Sequence, residues 1–558
     1  MKKLLLRIES FSEKNTLLFS IVFNVLLFSL VYTLIIIPVY NTDDDVFMQF
    51  LTSGNWTSEK LSFIIYSSNI IGWILQSLYA NFPNIYWYGL YALLNLLIIF
   101  TIVFFLILRN NNLITSLLIF LLFVVISLHF LLSNFQFTTN SILISFLGIH
   151  LVYCGLKDST KSKILIGIII LIYGCLIRFN FCIMICVLYS IMWFLVDTFS
   201  NKKVNIKTLL FFLICTIMVY TVNKIQIATY TKSQQVTLKY YKIISGLFDY
   251  NILTKMNDSE KDSFLSKINW SENDYNISRS SFNMHPDLYN INKLNELKKN
   301  EKNQILTSPI LIIKYIVAQG LFIIKQKYFI ILLIFSFFLL LVGGVERKIL
   351  LSLLFFIIGI IISDGLAAII LKSFPYRVQL GLYSCWFFLV LLNIKIVETY
   401  RKKITLTIIF ILISVSSLPS IIYHNKLSLI GLERLNNTYT SLNKLGKGSH
   451  FYDWNNGIPN YWVLPFYKQK EHEFKIFRIY TFSCCDFMSK DREKYGITDT
   501  YLDILKPNSY LVIDKAFTND YCNYYIIFMK EHYSKNVSFS IVETLVNGSS
   551  VIKMKESL

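Results

Sequence analysis

The chain has 558 residues, of which 54% are hydrophobic, 16% aromatic and only 16% charged, and its mean hydropathy is +0.53. Its apolar residues gather into charge-free blocks of roughly 17 to 24 residues, the length that spans a hydrocarbon core of about 30 Å. This pattern excludes a soluble globular chain and predicts an α-helical polytopic membrane protein. A formal charge of +19 in a soluble protein would suggest nucleic acid. Here the lysines and arginines fall in short loops between apolar blocks, the pattern of cytoplasmic anchoring, so the expected partner is membrane lipid and not nucleic acid.

The first block, Leu17 to Val39, is too long for the core of a cleavable signal peptide. No small-residue cleavage site follows before Asp43, so it reads as a retained signal anchor. Spans are then expected at Tyr86 to Leu108, Leu113 to Ser133, Asn140 to Leu156, Ile164 to Ile177, Phe181 to Val196 and Leu209 to Val222. Four more follow at Tyr328 to Gly343, Ile349 to Leu371, Val378 to Ile396 and Ile404 to Ile422, about eleven in all. Ser68 to Ala80 is apolar but too short to span. Ile310 to Ile324 carries Lys314 near its start and is followed by Lys325, three turns apart on one face, and reads as an amphipathic helix at the interface.

Basic residues orient the chain. Lys2, Lys3, Arg7 and Lys14 keep the amino terminus inside, and alternate loops carry Arg109, then Lys157, Lys161 and Lys163, then Lys202, Lys203 and Lys207. Arg347 and Lys348, then Lys395 and Arg401 to Lys403, continue the series on the same side. Left outside are the loops 40–85 and 223–326, the turn around Gln136 and residues 423–558. The division is therefore a membrane domain over 1–422 and an exported carboxyl-terminal domain over 423–558. The latter has short β-branched runs at Tyr510 to Asp514 and Val537 to Val542 and a helical stretch at Asp520 to Tyr533, which predicts a small α/β fold.

Six of the nine cysteines (Cys154, Cys175, Cys182, Cys186, Cys215 and Cys385) lie in apolar blocks as small hydrophobes. Cys484, Cys485 and Cys522 lie in a polar region, where Cys522 has one of the vicinal pair as a candidate disulfide partner; their spacing fits no zinc pattern.

Asp43, Asp44 and Asp45 stand together directly after the first span. Adjacent carboxylates repel, a cost that a cation or a proton-transfer role would justify; the alternative is a solvated acidic turn that caps the next helix. Val46 to Gly54 is a short helix-like stretch that holds the acids near the membrane plane. Arg178, in Ile177-Arg178-Phe179-Asn180, and Lys372 and Arg377, flanking Pro375, fall at the outer ends of other spans. Charge at membrane depth points to function unless the side chain snorkels. Carboxylates opposite cations at one interface suit a transferase acting on a lipid phosphate: the acid takes a hydroxyl proton or holds a metal, and a guanidinium neutralises the leaving phosphate. Asp364 is a candidate structural partner for Arg178 or Arg377, and His129 reads as a packed histidine.

An acidic cluster after the first span, a short helical first exported loop, about eleven spans and an exported carboxyl-terminal domain resemble the GT-C superfamily of polytopic glycosyltransferases. More narrowly, the chain is similar to bacterial GT-C-like proteins associated with cell-surface polysaccharides. The similarity rests on Asp44-Asp45-Val46-Phe47-Met48, Ser53-Gly54, Asn69-Ile70-Ile71-Gly72, Leu78-Tyr79, Trp87-Tyr88, Ile177 to Asn180, Asn273-Asp274-Tyr275, Pro375-Tyr376-Arg377, Trp454 to Gly457, and Pro459.

The resemblance implies a polyprenyl-phosphate-linked sugar as donor, a glycan acceptor, and a bacterial plasma membrane with the carboxyl terminus outside. It places the catalytic acid on Asp44 or Asp45. Asp43, standing where Asn is expected, leaves open which carboxylate acts. Arg178, Arg377 and Lys372 are then the phosphate-binding residues, Asp274 and Tyr275 candidate acceptor-side residues, and magnesium or manganese a candidate ion on Asp43 to Asp45. A polymerase or ligase using lipid-linked oligosaccharide, and a transporter without chemistry, are the competing functions.

Overall fold

Because each apolar block must satisfy its own backbone hydrogen bonds, the blocks fold as helices, and all eleven expected blocks fall on helices in the computed structural model. The structure describes residues 2–57, 59–201, 206–245, 258–285, 287–301, 309–343, 346–370, 374–396, 399–466, 473–479 and 485–557. In chain order, α1 (Lys2–Lys14) and α2 (Thr16–Leu30) lead through a π turn (Val31–Ile35) to a short strand β1 (Val39–Tyr40). The helix stops before its expected end because Pro38 has no N–H to donate and disfavours helical backbone at Ile37. Then come α3 (Asp43–Ser53), α4 (Asn69–Asn81), α5 (Trp87–Asn110), α6 (Leu113–Ser127), strand β2 (Asn134–Phe135), α7 (Phe137–Lys157), α8 (Lys161–Ile177), α9 (Phe179–Asn201) and α10 (Ile206–Ala228). The described residues between α10 and the later apolar helices include α11 (Lys232–Ile244), α12 (Asp258–Lys267), α13 (Glu272–Arg279) and α14 (Ile291–Glu301).

The last apolar helices are α15 (Pro309–Ile324), α16 (Lys327–Gly343), α17 (Arg347–Ile370), α18 (Tyr376–Asn393) and the 45-residue α19 (Tyr400–Lys444). Among the described residues, eight helices are long and apolar enough to cross a membrane by length and composition, or nine if Ile316–Phe322 and Lys327–Gly343, bent by 75°, form one span. The expected eleven included α8 and α16, which have 17 residues each, and α18, which opens on Arg377 and Gln379.

Burial sorts the helices. In α7, 83% of the apolar window is buried, against 17% in α19 and 22% in α2 and α10. So α7 is the centre of the bundle, and its amino-terminal end is where the site is built. It packs on α8 through glycines: a Cβ on Gly167 would stand 2.7 Å from the Gly148 carbonyl oxygen, so the backbones touch, as small residues permit. At the opposite end, Asn111 joins two turns expected on one side of the membrane. Its Nδ2 donates to the Ile394 carbonyl (3.1 Å) and its Oδ1 accepts from the Ile396 N–H (2.9 Å).

The expected domain boundary at 422 falls inside α19, which runs unbroken to Lys444 despite Pro419. Composition turns polar there while helix propensity does not. Beyond it lies a five-stranded mixed sheet of order β4-β3-β5-β7-β6. Its strands are β3 (His450–Trp454), β4 (Lys475–Ile479), β5 (Ser509–Ile513), β6 (Val537–Thr544) and β7 (Ser550–Glu556), with β3 parallel to β4 and β5 and the β7–β6 pair antiparallel. Helices α20 (Asp486–Glu493), α21 (Thr500–Asp503) and α22 (Thr518–Tyr533) complete it, so a small α/β unit forms as the alternating runs predicted. Cys522 is a free, buried thiol, which removes that disulfide pairing; Cys484 lies outside the described residues.

Candidate active site

The chain leaves the first apolar helix under the control of α19. Where Pro38 ends the helical ladder, Asn425 donates to the Ile35 carbonyl (2.8 Å) and accepts from the Ile37 N–H (2.9 Å). The next two residues pair in parallel with Asn134–Phe135, which fixes α3 beside the start of α7. Asp43, Asp44 and Asp45 form the first turn of α3. Negative charge is favourable there, and a rotation of about 100° per residue fans the three carboxylates apart.

Asp45 turns inward and is 1% exposed. Its carboxylate accepts from the Tyr88 hydroxyl (2.9 Å), the Thr42 hydroxyl (3.1 Å) and the Phe137 N–H (3.3 Å). Burial pushes its pKa up to about 7, although the Tyr88, Thr42 and Phe137 donors pull the other way. Tyr88 is set in turn by Tyr79, whose hydroxyl accepts from the Tyr88 N–H (3.0 Å). Gln136 caps α7 by accepting from the Thr138 and Thr139 N–H groups, and its Nε2 donates to Thr42 (3.1 Å).

Asp44 faces Arg377, with Nη2 3.2 Å from Oδ2 and a carboxylate side chain 16% exposed. The Arg377 backbone is fixed because its carbonyl accepts from the Thr139 hydroxyl (2.8 Å). Arg178, in the break between α8 and α9, donates to the Thr138 hydroxyl (2.8 Å) and lies over the rings of Phe137 and Phe181 at 4.8 and 5.2 Å. The first turn of α7 therefore ties down both arginines, and Arg178 is electrostatically coupled to Asp44 and Arg377. Asp364 does not take the expected arginine partner. It accepts from the Phe374 N–H (2.6 Å) and Gln379 Nε2 (3.1 Å), which anchors the start of the helix that carries Arg377.

Asp43 faces the carboxyl-terminal unit and accepts from Asn456 Nδ2 (3.1 Å). Burial raises its pKa, and Arg478 opposes that. Asn455 and Asn456 follow β3 with φ of 54° and 58°, a left-handed pair that asparagine tolerates. Arg478 forms a buried ion pair with Asp453 (3.0 Å) and stacks over Trp56 at 4.5 Å. The sheet and the first loop are thereby locked together around the acids.

Two cavities adjoin the cluster. One, of about 600 Å³, is lined by Arg178 with Tyr66, Asn180, Gln226, Tyr241 and Lys242. The other, of about 300 Å³, lies between α4 and α5, with Ile71, Leu78, Leu90, Tyr91 and Leu94 on its walls. Tyr91 is one helical turn from Tyr88, so this apolar cleft opens close to Asp45.

No protein-family model, curated protein or solved structure matches this chain.

Of the residues expected at the site, Asp43, Asp44, Asp45, Arg178 and Arg377 are brought together; Lys372 lies outside the described residues. Asp274 and Tyr275 are placed on α13, which packs on α22 of the carboxyl-terminal unit. Tyr275 is buried under the Lys261 ammonium (5.1 Å), and Asp274 bonds to His532. The three adjacent acids do not converge as metal ligands: among the described residues, the group of three that does is Asp274, Glu531 and His532. Thr42, Tyr88, Gln136, Thr138 and Arg478 were not foreseen as site residues. Thr42 and Asp45 do have the Thr-x-x-acid spacing of a capping box, but Arg478, inside a strand, carries no local signal.

Proposed function

We propose that the protein is a membrane glycosyltransferase of GT-C type that moves a sugar from a polyprenyl-phosphate donor to a glycan or lipid-linked acceptor on the extracytoplasmic face of a bacterial plasma membrane. The observation that carries this is the division of labour within the acidic turn. Asp45 is buried and accepts three hydrogen bonds, Asp43 is half-buried and engaged by Asn456, and the half-buried Asp44 faces the Arg377 guanidinium within the field of Arg178.

In this reading Asp44 takes the proton of the acceptor hydroxyl as that oxygen attacks the anomeric carbon. The bond from that carbon to the phosphate oxygen breaks with inversion, and the charge left on the phosphate meets Arg178 and Arg377. The cavity beside Arg178 has room for a sugar phosphate, and the apolar cleft between α4 and α5 suits the first isoprenoid units. Since the three acids do not converge on one point, no step is routed through a metal.

The test is sugar transfer by the purified protein in detergent, from a polyprenyl-phosphate sugar, with Asp44→Asn against wild type. Loss of a general base costs about 10² to 10⁴ in kcat, so the variant falls by at least 100-fold. Full activity in Asp44→Asn refutes the assignment. Arg178 and Lys242 facing one cavity also suit a polymerase or ligase holding a longer lipid-linked glycan. Shortened surface chains in Arg178→Ala cells favour that reading, and a missing branch sugar favours the transferase.

A further inference from the structure

A second cluster of chemically capable side chains stands apart from the acidic turn. Helix α13 meets β3 near its carboxyl end, where the Trp454 indole donates to the Ser280 carbonyl (2.8 Å). At its other end, Ser271 caps the helix in a capping box with Asp274. Asp274 is 1% exposed. Its Oδ2 is fixed by the Ser271 N–H (2.9 Å), which leaves Oδ1 directed at His532 Nε2, 2.8 Å away. The neighbouring Glu531 accepts from the Ser271 hydroxyl (3.0 Å). One donor atom from each of Asp274, Glu531 and His532 lies within 4.8 Å of the others.

A buried carboxylate held by one oxygen, with the other on an imidazole and a second carboxylate beside it, is a set of three ligands with an outer hydrogen-bonded support. The nearby His285 ring, centred 6.1 Å from that of His532, stands outside this set of three, which leaves the fourth tetrahedral position to water.

We propose that Asp274, Glu531 and His532 bind one zinc-class divalent ion, with water in the fourth position, and that the ion fastens α13 to α22. A mixed imidazole and carboxylate set favours zinc over magnesium or calcium, which prefer oxygen alone. On binding, His532 Nε2 releases its proton to solvent and its lone pair goes to the metal. The Nε2 to Oδ1 separation widens by about 0.5 Å to fit tetrahedral coordination. The ion has no part in sugar transfer: it ties the 223–326 segment to the carboxyl-terminal unit.

The test uses the full-length protein in detergent, stripped with EDTA and titrated with zinc chloride by calorimetry, with cobalt(II) absorption as a second readout. The wild type takes up one equivalent of zinc and gives the intense visible bands of tetrahedral cobalt. Glu531→Gln, at an exposed side chain and hence fold-neutral, and His532→Gln each weaken zinc by at least roughly tenfold, whereas Asp44→Asn binds zinc like wild type. Absence of zinc uptake by folded wild-type protein, uptake unchanged in both ligand variants, or uptake lost in Asp44→Asn each overturns the proposal.

Discussion

Asp45→Asn separates the buried acid from Asp44, the proposed base. In the fold, the Asp45 carboxyl is buried and its pKa is pushed up to about 7, whereas in the unfolded chain it titrates near 3.9. Between those values the folded protein holds a proton that the unfolded chain has already released. Its contribution to stability is therefore fully present below about pH 4, declines as pH rises, and levels off above about pH 7. The interval corresponds to roughly 4 kcal/mol, or about 3 °C in the unfolding midpoint of a chain this long.

An asparagine keeps the shape and stays neutral. Thermal unfolding of purified protein in detergent from pH 4.5 to 7.5 should show a downward slope in the wild type that is shallower by about that amount in Asp45→Asn. On the proposed assignment, with Asp44 as base and Asp45 positioning α3, sugar transfer survives in the variant. Equal slopes in the two proteins would refute the buried-acid account, and a loss of transfer as deep as that of Asp44→Asn would refute the division of roles.

Arg478→Met removes the cation from a buried pair and leaves Asp453 and Asp43 uncompensated, which costs about 3 to 5 kcal/mol; a loss in detergent stability below about 1 kcal/mol would contradict the proposed lock between sheet and first loop. Gly167→Leu forces side-chain atoms into the Gly148 backbone and costs about 1 to 3 kcal/mol or more. Because α8 leads directly into Arg178, this change should also lower transfer, measured on the folded fraction, and unchanged transfer would show that α7–α8 packing does not position Arg178.

Much of the architecture was legible in the sequence because it follows from solvent exclusion acting locally. A run of about 20 apolar residues has to bond its own backbone, so each expected block became a helix, and the alternating runs near Tyr510 and Val537 became strands. What the periodicity of hydrophobic residues could not mark was continuity or contact. The junction at Ile422 looked like a boundary because composition changes there, yet α19 passes through it. Asp364 looked like a partner for an arginine, yet the nearer unsatisfied group was the Phe374 N–H.

The candidate site divides in the same way. The acidic turn and the two arginines at span ends were visible as unusual charge beside apolar blocks. Their different environments were not, because three neighbouring residues on a helix look out in three directions, and what each meets comes from distant chain. Tyr88 and Phe137 bury Asp45, Arg377 meets Asp44, and Asn456 reaches Asp43 from a strand end more than four hundred residues on. The sequence alone determined that charge would be held at the ends of apolar helices. The tertiary structure decided which carboxylate is buried and what each one meets, because burial and hydrogen-bond donors, and not residue type, set the state of an acid.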